Sequence, residues 1–429
     1  MRLGLYFPFQ LPRPWGPDSE GRLFDEALDQ VALADQLGID YAWVPEQHFT
    51  EEYSHSSAPE IFLAAASQRT TRIRLGHGIA LLPPAYNDPV RVAERTAALD
   101  LVSGGRVEFG VGDSKSRIEL EGFGIDPDQR REMTREALAE IVRMWIETPY
   151  RGAAGAHVSV PARNIVPKPR RRPHPPLWMA CSDDETVARA ARLGLGALTH
   201  SFYNTDEAER VADLYFETFR RECVPIGVSV NPQIAMLNPF YCHQETAVAR
   251  QRGLDAAGFM GFAVRHYYSF GRHEPGHTDL WRRYERVREE FGGVVPLRGT
   301  HAVGSPEEIL EHLRAFAAVG IDQAILAHQG GRLTHEEICE SLRLLAREVM
   351  PSMRFLRQEQ RKRREALQPF IDAALARRAA ADRAPVEVPF VDAYGRTRPA
   401  IDAGKLPPAV REQVEDLQRM ATVARSFES

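Results

Sequence analysis

Three consecutive residues, Glu46, Gln47 and His48, stand directly after the apolar run Tyr41-Ala42-Trp43-Val44 and Pro45. A carboxylate, an amide and an imidazole in a row can hold and move protons. The imidazole titrates near neutral pH, the carboxylate can orient it, and the amide exchanges hydrogen bonds without titrating. The plain alternative is a histidine packed behind the strand and bonded to Glu46 or to backbone. A second set opens a helix in "MACSDDETVARAARLG", where Ser182 and Asp183 are candidate N-caps. Free amides at a helix start can hold a phosphate. An acidic first turn is equally an ordinary helix start. The cysteines, Cys181, Cys223, Cys242 and Cys339, lack CxxC or Cys/His spacing, so reduced thiols are expected, with no zinc site and no disulfide framework. Neither a GxGxxG dinucleotide signature nor a P-loop accompanies a strand-helix junction.

The elements that must position these residues alternate. "LGLYF", "YAWVPE", "IRLGHGIAL", "RVEFGVG", "PLWMA", "GALTHS", "SVNPQIAML" and "QAILAH" read as strands. Helical spacing intervenes over 22–37, 58–68, 89–101, 128–146, from Asp184 to about 193, 206–220 and 334–349. Strand-helix alternation implies a parallel sheet, and about eight pairs favour an α/β fold of the closed (β/α)8 TIM-like barrel type. In such a barrel the chemistry sits on loops at the C-terminal ends of the strands. That places residues 46–49, Gly78–Pro83, Gly112–Lys115, Cys181–Asp184 and His328–Gly331 on the functional rim.

Residues 1–354 are expected to form the barrel, with insertions near 150–175 and 240–300, and residues 355–429 a helical C-terminal extension. The second insertion carries Phe259, Phe262, Tyr267, Tyr268 and Phe270, which can line an apolar pocket or form a local core. In the extension, "RQEQRKRRE" reads as a solvated helix face, or more sharply as an interaction arm. A Pro-broken stretch and a helix at 407–425 follow it.

With 43% hydrophobic and 26% charged residues and a net charge of -5, the composition points to neither nucleic acid nor membrane as partner. No apolar run approaches the roughly 20 residues of a membrane span, and the N-terminus is Pro-broken. A cytoplasmic protein with a small-molecule substrate is expected, assembled as a homodimer.

Six segments in order resemble the bacterial luciferase-like, flavin-dependent monooxygenases. They are "EQHFTE" (46–51), "DPVRVAERTAALDLVSGGRVEFGVG" (88–112), "EGFGIDPDQRREM" (121–133), "PLWMACSDDETVARAARLG" (176–194), "VGSPEEILEHLRAFAAVGIDQAILAHQGG" (303–331) and "EVMP" (348–351). The resemblance covers roughly residues 1–355. It implies an oxidoreductase that uses reduced FMN, supplied by a separate flavin reductase, and oxygen to oxygenate a small organic substrate through a flavin hydroperoxide. The family's Glu-His-His-Phe motif falls on Glu46, Gln47, His48 and Phe49. Its first histidine is therefore Gln47 here, which leaves acid-base work to His48 or to another residue, with Glu46 able to orient either neighbour.

At the phosphate end, the resemblance assigns Arg131 to a contacting arginine and aligns a second such arginine with Asp113. Lys115 stands two residues along as a substitute, and Arg130 adds positive potential. Ser182, Asp183 and Thr186 align near the phosphate, Asp183 through its amide only. Members of the family can carry a non-proline cis peptide under the flavin, which aligns near Gly78-Ile79. Two other readings stay open: a deazaflavin-dependent oxidoreductase on the same barrel, and a catalytically reduced flavin-binding subunit, the latter motivated by Gln47.

Overall fold

The computed structural model describes residues 1–297, 299–380 and 406–425. Its strands are short apolar runs, as expected where helices cover one sheet face and the barrel interior the other. In chain order they are β1 (Arg2–Tyr6), β2 (Tyr41–Val44), β3 (Arg74–Leu81), β4 (Val107–Gly112), β5 (Ala153–Ala154), β6 (Ser159–Val160), β7 (Leu177–Cys181), β8 (Gly196–Thr199), β9 (Ile234–Cys242), β10 (Ala302–Gly304) and β11 (Gln323–Ala327). Among the described residues, β1, β2, β3, β4, β7, β8, β9 and β11 pair in that order, all parallel. β11 returns to β1, which closes the sheet. The (β/α)8 barrel expected from alternation is the observed fold.

Two tryptophans fill the barrel interior, and glycines on the neighbouring strands make room for them. A Cβ at Gly76 would lie 2.3 Å from the Trp43 ring, and one at Gly196 equally close to Trp178. The two rings meet edge to face, their centroids 5.4 Å apart. Close packing of this kind leaves no slack for an added methyl.

Of the two N-caps read from the sequence, Asp183 is the one observed, and two further helix starts use the same chemistry. Asp183, Ser305 and Thr334 each close a capping box. Elsewhere tertiary contacts moved the boundaries. β9 begins at Ile234 rather than at Ser229, because the Asn231 side chain donates to the Leu177 carbonyl at 3.1 Å and Ser229 meets His174 at 3.2 Å. The helix expected over 334–349 is regular only across His335–Leu344 and then widens over Leu345–Val349. The 150–175 insertion contains the β5-β6 hairpin.

Residues 243–297 build a helical layer from the helices Thr246–Arg265 and Leu280–Glu290, with a wide turn at His266–Phe270. Phe259, Phe262 and Tyr267 pack with Trp281, Tyr284 and the rim residue Tyr53 into a core of their own. The aromatic stretch is thus mainly local core.

The helices Arg354–Ala366 and Gln368–Ala380 belong to the same compact unit as the barrel, which runs Met1–Val386. Arg357 pairs with Asp40 at 2.9 Å, and Arg377 donates to the Cys223 carbonyl at 2.8 Å. The described part of the second unit, Glu387–Ser429, contains the helix Pro408–Arg425. The Pro-broken stretch expected before it lies largely outside the described residues. All four cysteines are buried, free thiols. No helix among the described residues is long and apolar enough to cross a membrane.

His328, expected on the rim after β11, is buried instead, with its ring edge-on to Phe7 at 4.6 Å. Burial pushes its pKa down to about 3, whereas an unfolded chain takes up this proton near pH ~6.5. Between those values the unfolded state binds more protons, so this contribution to stability rises with pH and is lost as pH falls from about 6.5 toward 3. On lowering pH from 7 to 5 the parent should lose about 2 kcal/mol more unfolding free energy than His328→Phe, measured by urea titration. Equal losses would show that His328 is not the responsible group.

Candidate active site

A cavity of about 430 Å³ opens at the C-terminal ends of β3, β4, β7 and β8. Of the residues singled out in the sequence, it is lined by Gln47, Gly78, Ile79, Lys115, Arg131, Ser182 and Thr186. Trp43, Tyr6 and Ile325 contribute from the barrel interior, and Met260, Val264 and Tyr268 from the long insertion. The Gly78-Ile79 peptide is cis, at the position where the resemblance aligned such a bond.

The rim cluster divides in two directions. Glu46 is buried and ties the end of β2 to β3. Its N–H donates to the Ile79 carbonyl at 2.9 Å, while its carboxylate accepts from Leu81 N–H and from the Asn87 amide, each at 2.8 Å. Gln47 N–H donates to the Ser56 carbonyl at 2.8 Å, and its side-chain oxygen accepts from the Tyr268 hydroxyl at 3.3 Å across the cavity. His48 takes another course: its Nε2 meets Glu46 Oε1 at 3.0 Å. Its ring stacks on Tyr86 and meets the edge of Phe123. Phe49 follows with a φ of 62°, a left-handed conformation uncommon for a bulky side chain. The structure therefore brings Gln47 to the cavity and sets Glu46 and His48 among the contacts that hold its backbone.

Sequence reasoning missed Glu119. This buried carboxylate lines the cavity and accepts from His48 N–H at 2.8 Å and from the Ser114 hydroxyl. Burial raises its pKa, against the lowering effect of those two hydrogen bonds. The signal available was one of two glutamates in "RIELEGFG", with no pattern to separate it from a solvated helix face. Glu51 and Glu52 were missed as well, and both tie the rim to the insertion. Glu51 meets His273 at 3.0 Å and accepts from Gly276 N–H at 2.8 Å. Glu52 accepts from the first two amides of the helix Leu280–Glu290.

The cationic end of the cavity is held together by acids. Lys115 meets Asp183 at 3.2 Å and donates to the Ser182 hydroxyl, Arg131 pairs with Glu185 at 2.9 Å, and Arg130 lies 3.9 Å from Asp113. Asp183 caps the helix Asp184–Arg192 by accepting from Thr186 N–H at 2.9 Å. Burial pushes its carboxyl up, but the Thr186 and Lys115 hydrogen bonds outweigh that and hold it well below the usual carboxylate range.

A flavin phosphate would meet this set of three cations and three acids. Lys115 and Arg131 are 42% and 41% exposed, and their partners Asp183 and Glu185 are 43% and 57% exposed. Exposed pairs are worth only about 0–1 kcal/mol, so both cations can turn to an incoming phosphate at little cost. With an apolar slot leading to that end, the residues present fit FMN.

Residues 1–323 match the family profile described as luciferase-like monooxygenase. Over 359 residues the chain is 23% identical to the flavin-dependent trigonelline monooxygenase, oxygenase component, of Acinetobacter baylyi, covering 82% of this chain and 95% of that protein. The crystal structure of the monooxygenase RslO1 from Streptomyces bottropensis superposes with a TM-score of 0.67 at 26% identity, over 82% of this chain and 99% of that one. The oxygenating constituent of 3,6-diketocamphane monooxygenase from Pseudomonas putida, solved in complex with FMN, shares the fold. Its TM-score is 0.64 at 19% identity, over 82% and 98% of the two chains.

Proposed function

Because the chain belongs to the luciferase-like monooxygenase family, we propose that it uses reduced FMN and oxygen to oxygenate a small organic substrate, with the flavin delivered by a separate reductase. The observation that carries this reading is the 430 Å³ cavity, whose apolar slot runs from the Trp43 floor to Lys115 and Arg131. Bound reduced FMN supplies the oxygen-activating chemistry that no amino-acid side chain has.

The chain's own residues bind, orient and exclude water. Lys115, Arg131, Ser182 and Thr186 would hold the phosphate, and Gly78, Ile79 and Leu81 would wall the slot; the Asp183 amide, expected to contribute, is instead donated to the Thr186 hydroxyl at 3.1 Å. Met260, Val264 and Tyr268 cover the slot and keep water from it. Gln47 would present its amide to the bound substrate from the cavity wall, and Glu46 and His48 would act as positioning residues beside it. A proton at this face is held by Glu119, whose burial favours the protonated form at higher pH than an ordinary glutamate.

The test is turnover with reduced FMN, oxygen and a panel of ketones, aldehydes and aromatic compounds, with product mass as the readout. Incorporation of one oxygen atom into a product supports the reading. Hydride transfer from a reduced deazaflavin without oxygen would replace it with the deazaflavin oxidoreductase. Flavin binding without any substrate oxidation would make the chain a non-catalytic subunit.

Within that assay Gln47→Ala is expected to lower kcat by about a hundredfold, the usual loss for one donor at a reacting centre. His48→Ala should lower it less, while reducing stability by about 1 to 2 kcal/mol through the orphaned Glu46 contact. A larger kcat loss for His48→Ala would return the acid-base role to the imidazole.

A further inference from the structure

A second cavity, of about 580 Å³, lies at the opposite end of the barrel. Its walls are the N-terminal mouth, around Arg2, Arg74 and Asp322, and the helix Arg354–Ala366 that crosses it. Arg357, Gln360, Arg361 and Arg364 of that helix all line the cavity. Their spacing of three, four and seven residues puts them on one helical face. A helix laid against a barrel ordinarily turns an apolar stripe inward. This one buries Gln360 and sets Arg361 and Arg364, both exposed, along the open side of the cavity, so part of the segment "RQEQRKRRE" borders a cavity as well as solvent.

Among the described lining residues, eight are arginines and two are aspartates. The imbalance runs against the chain as a whole, whose net charge is -5. Several of these arginines are committed to the fold. Arg2 donates to the Tyr41 hydroxyl at 2.8 Å, Arg74 pairs with Glu108, and Arg72 bonds the Asp35 carbonyl. Arg357 holds Asp40 at 2.9 Å, and Arg363 donates to the Ala317 carbonyl at 2.7 Å while lying 3.6 Å from Asp322.

Arg220, Arg361 and Arg364 are different: among the described residues none of the three pairs with a carboxylate. Arg220 instead lies 5.7 Å from the centre of the Phe370 ring, which lines the same cavity with Phe216 and Leu367. Three unpaired guanidiniums around an apolar wall match a ligand with several negative charges and a hydrophobic body.

We propose that this cavity binds a small organic anion of at least two negative charges, phosphate or carboxylate in type, held by Arg220, Arg361 and Arg364. The proposal does not depend on the flavin reading, since none of these residues lines the upper cavity.

Titration calorimetry of the full chain at low salt, with inorganic pyrophosphate in one arm and citrate in the other, tests it. At least one should bind saturably with a Kd below about 100 µM, and the tighter of the two identifies the anion class. The double variant Arg361→Ala/Arg364→Ala, and separately Arg220→Ala, should weaken that binding at least about tenfold, with unchanged melting temperatures. Saturable binding by neither anion up to about 1 mM would overturn the proposal, as would undiminished binding by the double variant. Binding abolished instead by Arg131→Ala would also overturn it, by placing the anion in the upper cavity.

Discussion

Replacing Lys115 and Arg131 together by alanine is expected to raise the dissociation constant for reduced FMN about a hundredfold or more, with the melting temperature almost unchanged. Hydrogen bonds to charged groups contribute about 1.5 to 3 kcal/mol each, and about 1.4 kcal/mol is a factor of ten in affinity. The fold is spared because both side chains are about two-fifths exposed and their present partners are exposed acids, pairs of little net worth. Anaerobic fluorescence titration measures the constant. A change of less than about threefold would remove this end of the cavity from the phosphate site, leaving the helix start at Asp183 as an ordinary cap. Raising ionic strength should weaken parent binding more than variant binding, because the lost contacts are the charged ones.

Glu52→Ala is expected to cost about 3 to 5 kcal/mol of stability, the usual range for breaking a buried ionic contact. Its side chain is fully buried, and burial raises its pKa. The carboxylate joins three segments: it accepts from Arg13 N–H at 2.8 Å, from Trp281 N–H at 3.1 Å and from Leu280 N–H. Alanine leaves those amides buried without a partner and frees the start of the helix Leu280–Glu290. The long insertion should then loosen over the cavity, because the neighbouring Glu51 contacts to His273 and Gly276 depend on the same rim turn. Urea titration reads the stability, and limited proteolysis between residues 266 and 280 reads the loosening. Glu52→Gln, which keeps the volume and one acceptor, should lose less. A Glu52→Ala variant within about 1 kcal/mol of the parent would show that the insertion is held by its aromatic core alone.

The barrel and the helix start at Asp183 were legible from sequence for the same reason: both rest on local order along the chain. Apolar runs alternating with helical spacing imply parallel crossovers whatever the details, and Ser182, Asp183 and Thr186 sit where a helix begins. Lys115 and Arg131 needed the resemblance as well, since no spacing rule brings residues 115 and 131 together. Glu119 could not be found at all. Of the two glutamates in its short helix, only Glu119 is closed over by the rim turn and removed from water.

The opening triplet shows where sequence reading stopped. Glu46, Gln47 and His48 were legible as a group on the rim of the second strand, because the side of the barrel on which a βα loop emerges follows from strand direction. Which of them faces the cavity was not. Outside a regular strand, successive side chains need not alternate, and the direction of each is set by partners distant in sequence. Leu81 and Asn87 claim the Glu46 carboxylate, Ser56 claims the Gln47 backbone, and Tyr86 and Phe123 take the His48 ring.

The arginine-lined cavity has the same origin. The charge of "RQEQRKRRE" was plain, but whether a charged helical face meets water or another part of the chain depends on where the helix docks. By itself, then, the sequence determined the order of elements, the barrel they close into and the end of it on which the strand-to-helix loops emerge, since periodicity and crossover handedness act locally. Only the tertiary structure decided that Gln47 faces the cavity, that His48 supports it from behind, and that a second, basic cavity exists at all, because each depends on contacts between residues far apart along the chain.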